Sequence, residues 1–231
     1  MVPLLGTYED IRATIDVVDT LDLAPDQLLT TTRSVRKRLD FAKPVPLALV
    51  RECLDIALQA PSGSNRQSWH WVVVTDQEHR KAIGEFYRRA VADYLTGAGF
   101  AGRLFADDPT RAPVQNRVGD SVAYLGEHMG DAPVLVIPCI TAKELPAGSQ
   151  AGLWGSILPA AWSYMLAARA RGLGTAWTTL HLRYEAEISE LLGIPADVHQ
   201  AVLIPTAFSL GTDFKPAARQ PLDEVLHVDH W

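Results

Sequence analysis

The run WGSILPAAWSYMLAARARG, residues 154–172, would carry apolar side chains on three sides of a helix for about five turns. Such a helix has no face for water, so it must be packed at the centre of a fold. It ends in GLG, where Gly172 suits the left-handed residue that closes a helix. A second constraint is APVLVIPCI, residues 132–140, a short apolar run that reads as a buried strand. Any fold for this chain has to cover both segments.

The rest of the sequence supplies the cover. In PVPLALVRECLDIALQA, Leu47, Val50, Leu54, Ala57 and Leu58 recur at helical spacing, with Pro46 suited to the first turn. EHRKAIGEFYRRAVADYL places Ile83, Phe86, Tyr87, Val91 and Tyr94 in the same way. Further helices are expected around VAYLGEHMG and in RYEAEISELLG, the latter closing at Gly193, and a short one within APDQLLTTTRSVRKRLDF that runs into an extended basic segment. WHWVVVT, TAWTTL and AVLIPTAFSLG read as strands. Helices dominate and do not alternate regularly with strands, which favours an α+β layer fold over a doubly wound parallel sheet. The expectation is one domain over 1–231, with residues 1–24 as an arm and 96–121 as an irregular excursion. Long loops in compact domains tend to be lids or binding loops, and Phe100, Leu104 and Phe105 would be the apolar contacts of such a lid.

Charge and cysteine content narrow the class. A net charge of −6 recruits neither nucleic acid nor an anionic membrane, and no segment reaches membrane-spanning length. Cys53 and Cys139, the only cysteines, lie in apolar runs and read as buried thiols of a reducing compartment. The N-terminus lacks the basic-then-apolar order of an export signal, so a cytoplasmic protein is expected. The tail residues His227, Asp229 and His230 have no second ligand cluster to complete a zinc site, so no metal is expected. GLGTAW lacks the third glycine of a dinucleotide fingerprint, and no G-x-S-x-G element offers a nucleophilic serine. Cys53 on an inner helix face and the lone His181 read as scaffold.

Two polar segments stand out against this background. In an extended TRSVRKR, Ser34, Arg36 and Arg38 share one face, a hydroxyl beside guanidinium forks suited to phosphate. APSGSNRQSW, residues 60–69, sets a row of hydrogen-bonding groups between a helix and a strand. Taken with ARARGLGTAW, their order and spacing resemble the nitroreductase family of flavoenzymes, whose members carry R-S-x-R, PS-x-x-N-x-Q-P-W and GLGT motifs. The likeness covers roughly residues 30–95 and 130–226.

That resemblance implies a nitroreductase-like α+β fold with a mainly antiparallel central sheet flanked by helices, in an intertwined homodimer that shares two FMN sites. Arg33, Ser34 and Arg36 match the segment at the phosphate and polar edge of the flavin. Pro61, Ser62, Gly63 and Asn65 match the loop that the second subunit presents to the ring and ribityl chain, which would hide Ser62 and Asn65 at the dimer interface. Trp177, Thr178 and Thr179 match the stretch along the ring, with the Thr179 backbone N–H as donor to flavin N5. Arg219, and more weakly Lys215, match a C-terminal phosphate cation. Arg36 would stabilise the reduced ring near N1 and the C2 carbonyl. The implied activity is ping-pong hydride transfer from NADH or NADPH, through FMN, to a nitroaromatic or quinone-type acceptor. The cofactor does the chemistry, so no catalytic side-chain dyad is needed. The alternatives are an FMN-storing protein with little turnover, or a flavin-cleaving or dehalogenating relative. Thr32, Arg38 and Ser68 depart from the residues common in the family.

Overall fold

The computed structural model describes residues 20–231; residues 1–19 of the expected arm lie outside the described residues. Helix α1 spans Pro25–Thr31 and leads through an extended stretch at 32–35 and a turn over Arg36–Arg38 to the two-residue strand β1, Leu39–Asp40. The extended run expected of TRSVRKR therefore stops at Val35, and Arg38 reaches Leu210 and Phe214 instead of sharing a face with Ser34 and Arg36. Helix α2, Leu47–Ala57, precedes a single 3-10 turn at Gly63–Asn65 and strand β2, Trp69–Val74. Helices α3, Gln77–Thr96, and α4, Ala112–His128, are followed by the long strand β3, Val134–Thr141. The apolar helix is α5, Ala151–Ala170, and it delivers strand β4, Leu173–Thr175, after Gly172 turns at φ +73°. Helix α6, Glu185–Leu192, and strands β5, Val198–Gln200, and β6, Ile204–Ser209, complete the fold.

The strands form one sheet in the order β1-β6-β3-β2, with β4 on β6 and β5 on β3, every named pair antiparallel. Strand β3 is central and buried almost throughout, which its unbroken apolar sequence anticipates. Leu135, Ile137 and Cys139 join the core beneath α3 and α4, with Ile83, Tyr87, Val91 and Leu125. Val134 and Val136 join the core beneath α2 and α5, with Val50, Cys53, Ala161 and Met165. Tyr164, fully buried in α5, shares a hydrogen bond of 2.9 Å with Thr206 of β6 and so satisfies both hydroxyls inside the core. Among the described residues no helix is long and apolar enough to cross a membrane.

Four further sequence expectations are corrected. The buried face of α2 is Leu49, Val50, Cys53 and Ala57, whereas Leu47 and Leu58 are 50% and 40% exposed. The apolar pattern is wide enough to fit two overlapping stripes, and packing on α5 selects the second. The irregular excursion is shorter than 96–121, because α4 begins at Ala112. Pro113 is tolerated in the first turn, and Gly119 lets Phe100 approach, since a β-carbon there would lie 2.7 Å from the ring. TAWTTL is not a strand beyond Thr175; Thr178 makes one isolated bridge to Leu203 before the chain enters a 3-10 turn at Leu180–Tyr184. The last expected strand, 201–211, shortens to β6, and the strand β5 ahead of it was not expected; the two contact different halves of β3.

Helix α3 meets the turn after α4 glycine to glycine. A β-carbon on Gly84 would lie 2.7 Å from both Cα and N of Gly130, closer than backbone atoms can yield without moving. Gly84→Ala is expected to lose on the order of 2 kcal/mol of stability through this overpacking, offset only in part by better helix propensity. A urea midpoint equal to the parent's would contradict it.

Candidate active site

The segment Arg33–Arg36 runs alongside the end of β4. Val35 N–H donates to the Thr175 carbonyl at 2.7 Å, and Ser34 forms a parallel bridge with Thr175. The hydroxyl of Ser34 accepts from Trp177 N–H at 3.4 Å. Two sequence-distant motifs therefore share one edge of the sheet. Val35 is buried there as the anchor, which turns its neighbours Ser34 and Arg36 outward and along the edge.

Arg36 is half-buried and has no carboxylate within salt-bridge distance among the described residues. Its Nη1 donates to the Ser121 hydroxyl of α4 at 3.2 Å, and that hydroxyl donates to Val118. Burial pulls the guanidinium pKa below its ordinary value, opposed by the nearby phenols of Tyr87 and Tyr94. A cation held partly out of water without a counter-charge is a place where an electron-rich ligand edge would bind.

The chain after β4 completes the edge. Thr178 exchanges both backbone hydrogen bonds with Leu203, at 3.2 and 2.9 Å, and its hydroxyl meets Tyr87 at 3.1 Å. Thr179 is exposed, and its N–H has no protein acceptor among the described residues. On the other flank, Arg33 Nη1 donates to the Lys215 carbonyl at 2.7 Å, which ties the C-terminal segment to the basic motif. That segment is anchored one residue earlier by Phe214, with Arg38 4.3 Å and Arg169 4.9 Å from its ring centroid. Arg38 thus packs on an aromatic ring that arrives from the C-terminal segment.

The model of the nitroreductase family matches residues 29–211. The chain belongs to the nitroreductase family. An NADH dehydrogenase of Thermus thermophilus is 29% identical, the match covering 94% of this chain and 98% of the relative. A 4-nitrobenzoate reductase of a Nocardioides species is 27% identical, over 86% and 87%. Among solved structures, an FMN- and NADPH-dependent nitroreductase from a Sphingopyxis strain (a Tyr-to-Phe mutant) superposes with a TM-score of 0.67, at 23% identity, covering 90% and 100%.

In this nitroreductase-family chain the sequence-predicted residues fall into two groups. Arg33, Ser34, Arg36, Trp177, Thr178, Thr179 and Lys215 gather at the edge just described. Pro61, Ser62, Gly63 and Asn65 do not join them: no hydrogen bond among the described residues links the two groups. The loop instead packs on α5, where Gly63 N–H donates to the Ser156 hydroxyl at 2.9 Å. Ser64, Asn65 and Gln67 all hold positive φ, near 54°, 51° and 50°, a run of strained conformers steadied by Gln67 N–H on the Ser62 hydroxyl. Beside it lies a cavity of about 330 Å³, lined by Gly63, Ser64, Arg66, Thr141 and Leu153. Asn65 is exposed and Ser62 half-buried in the single chain. Arg219 is exposed and, among the described residues, donates only to its neighbour Ala218.

The excursion 97–111 is tied down at one end and open at the other. Phe100 is half-buried edge-on to Tyr94, and Tyr94 OH accepts from Ala101 N–H at 2.8 Å. Arg103 caps the end of α3 on the carbonyls of Leu95 and Thr96. Leu104 and Phe105 are 40% and 43% exposed, Phe105 at φ +59° under the Arg111 guanidinium. His181 is fully buried, away from any open face. Both cysteines are buried, with thiols pushed up to about 12, so neither is a nucleophile. Sequence reasoning missed Ser121 and the Arg38–Phe214–Arg169 contact. Both join residues far apart in the chain, and no local pattern announces them.

Proposed function

We propose that the chain binds FMN at this edge and passes hydride from NADH or NADPH to an electron-poor aromatic acceptor, a nitro compound or quinone. The observation that carries this reading is the N–H of exposed Thr179, without an acceptor among the described residues, on the same edge as Ser34 and an Arg36 that has no carboxylate among those residues. The donor set suits the group. Arg36 and Ser34 offer donors to the carbonyl-rich end of an isoalloxazine, Thr179 N–H to N5, and Arg33 with Lys215 and Arg219 positive charge to the phosphate. The names of the Thermus and Nocardioides relatives support the same chemistry.

When bound, the flavin supplies the redox step, with hydride taken from the nicotinamide and delivered to the acceptor. The protein's part is to bind, orient and exclude. Arg36 places positive charge where negative charge grows on reduction, in a partly desolvated setting that strengthens it. Trp177 flanks the ring position, and Leu104 and Phe105 offer apolar surface to a planar substrate. The Pro61–Asn65 loop serves the site of a second copy, which explains why it lies apart from the rest within one chain. The exposed apolar residues Leu47, Ile56 and Leu58 on and just after α2 fit burial in that homodimer.

Mixing the purified chain with FMN and removing the excess tests this reading. A yellow, dimeric protein that bleaches anaerobically on adding NADH or NADPH is the expected result. Yellow protein that keeps its colour with both nicotinamides would support a storage role instead. Colourless protein would overturn FMN binding, and a monomer would overturn the role given to the loop.

A further inference from the structure

We propose that Tyr87 is a positioning residue for this edge: through its hydrogen bond to Thr178, its phenol fixes the direction of the Thr179 N–H. The inference rests on the FMN reading above and adds to it a residue from a helix that none of the three family motifs includes.

Tyr87 lies in the middle of α3 and is 1% exposed, among Ile83, Val91 and Leu125. Phenylalanine would fill that space equally well, and burying a hydroxyl costs free energy unless it finds a partner. The partner is Thr178 Oγ1, at 3.1 Å. Thr178 is held from three directions. Its N–H and carbonyl both bond Leu203, and its hydroxyl takes Tyr87 together with the Leu180 N–H at 3.4 Å. The Thr178 carbonyl and the Thr179 N–H belong to one planar trans peptide, so they point in opposite directions. With the carbonyl turned to Leu203, the N–H has to face away from Leu203. The bridge to Leu203 is a single pair with no ladder to stiffen it, so the side-chain bond to Tyr87 supplies the second point of fixation. Burial raises the Tyr87 pKa, so the phenol stays protonated at neutral pH; the Arg36 guanidinium is near enough to oppose that rise. One buried hydroxyl thus holds the residue whose peptide carries the Thr179 amide, and it is near enough to the Arg36 cation to feel its charge.

The test compares Tyr87→Phe, Thr178→Val, Thr178→Ser and the Phe–Val double variant, each loaded with FMN. Stopped-flow reduction by the nicotinamide should slow about tenfold in Tyr87→Phe and Thr178→Val, while nicotinamide KM and FMN Kd stay within about twofold. The visible absorption bands of the bound flavin should shift in both. Thr178→Ser keeps the hydroxyl and should behave as the parent, and the double variant should be no slower than either single one. In the FMN-free chain, amide exchange in a 176–182 peptide should quicken in Tyr87→Phe and Thr178→Val. Wild-type reduction rates and spectra in Tyr87→Phe, a Thr178→Ser as slow as Thr178→Val, or multiplicative losses in the double variant would each overturn the inference. Should Tyr87→Phe fail to fold, the Val and Ser variants at Thr178 decide it. A parent chain that takes up no FMN fails the earlier reading instead, and the exchange measurement still reports on the Tyr87–Thr178 link.

Discussion

Arg36→Met is expected to weaken FMN binding roughly a hundredfold while leaving the FMN-free chain at least as stable as the parent. The two halves of the expectation have one cause. Arg36 is half-buried with a single neutral partner, Ser121, and no carboxylate among the described residues. Desolvation penalises its charge, which is why its pKa is drawn down. Methionine keeps the unbranched stem and removes the charge, so the empty protein loses one hydrogen bond and sheds a desolvation penalty. The flavin edge loses a charge-assisted donor, a contact of about 1.5–3 kcal/mol. Fluorescence titration with FMN and a thermal melt of the FMN-free protein check both parts. A variant that melts well below the parent would mean Arg36 is structural; unchanged FMN affinity would remove it from the site.

Acidification is expected to reveal His181. The ring is fully buried and neither nitrogen has a hydrogen-bond partner among the described residues. Burial disfavours the charged form and pushes the pKa down to about 3, from 6.5. The unfolded chain therefore takes up a proton as pH falls below about 6.5, and the folded chain does so only near 3. Since the unfolded state binds more protons across that window, stability falls as pH drops through it, by on the order of 4 kcal/mol between pH 7 and 3. His181→Leu, close in volume and unable to titrate, should remove that part of the acid sensitivity and raise stability at neutral pH by removing two buried nitrogens that have no partner among the described residues. Urea midpoints of parent and variant from pH 7 to 4 measure it. Parallel curves would show that the ring finds a proton partner in the folded protein.

Much of the architecture was legible in local pattern. The apolar run of β3 admits one kind of environment and is buried almost throughout, whereas α5, expected to have no face for water, is buried where it meets α2 and the sheet but leaves Trp162 37% exposed in the single chain. Gly172 and Gly193 adopt the positive φ expected of helix-closing residues. Boundaries failed where neighbours decide. Nothing local distinguishes Leu47 from Leu49 as the core residue of α2. The first half of α4 carries Pro113 and Gly119, which read as loop until Phe100 is seen packed against the glycine.

The candidate site divides in the same way. The order of the motifs offers Arg33, Ser34, Arg36 and Trp177–Thr179 as candidates, and the proposed ligand edge rests on the donors they bring. That these donors meet depends on the pairing of Ser34 with Thr175, a contact of 141 residues' separation set by strand register. The sequence alone determined which segments must be buried, which polar groups are available, and the family to which they belong. Only the tertiary structure decided which of those groups share an edge, that the Pro61–Asn65 loop stands apart from them, and that Tyr87 reaches Thr178. The reason is that hydrophobic burial and turn chemistry are written in neighbouring residues. Hydrogen bonds between distant elements depend on how whole layers settle against one another, to within a fraction of an ångström.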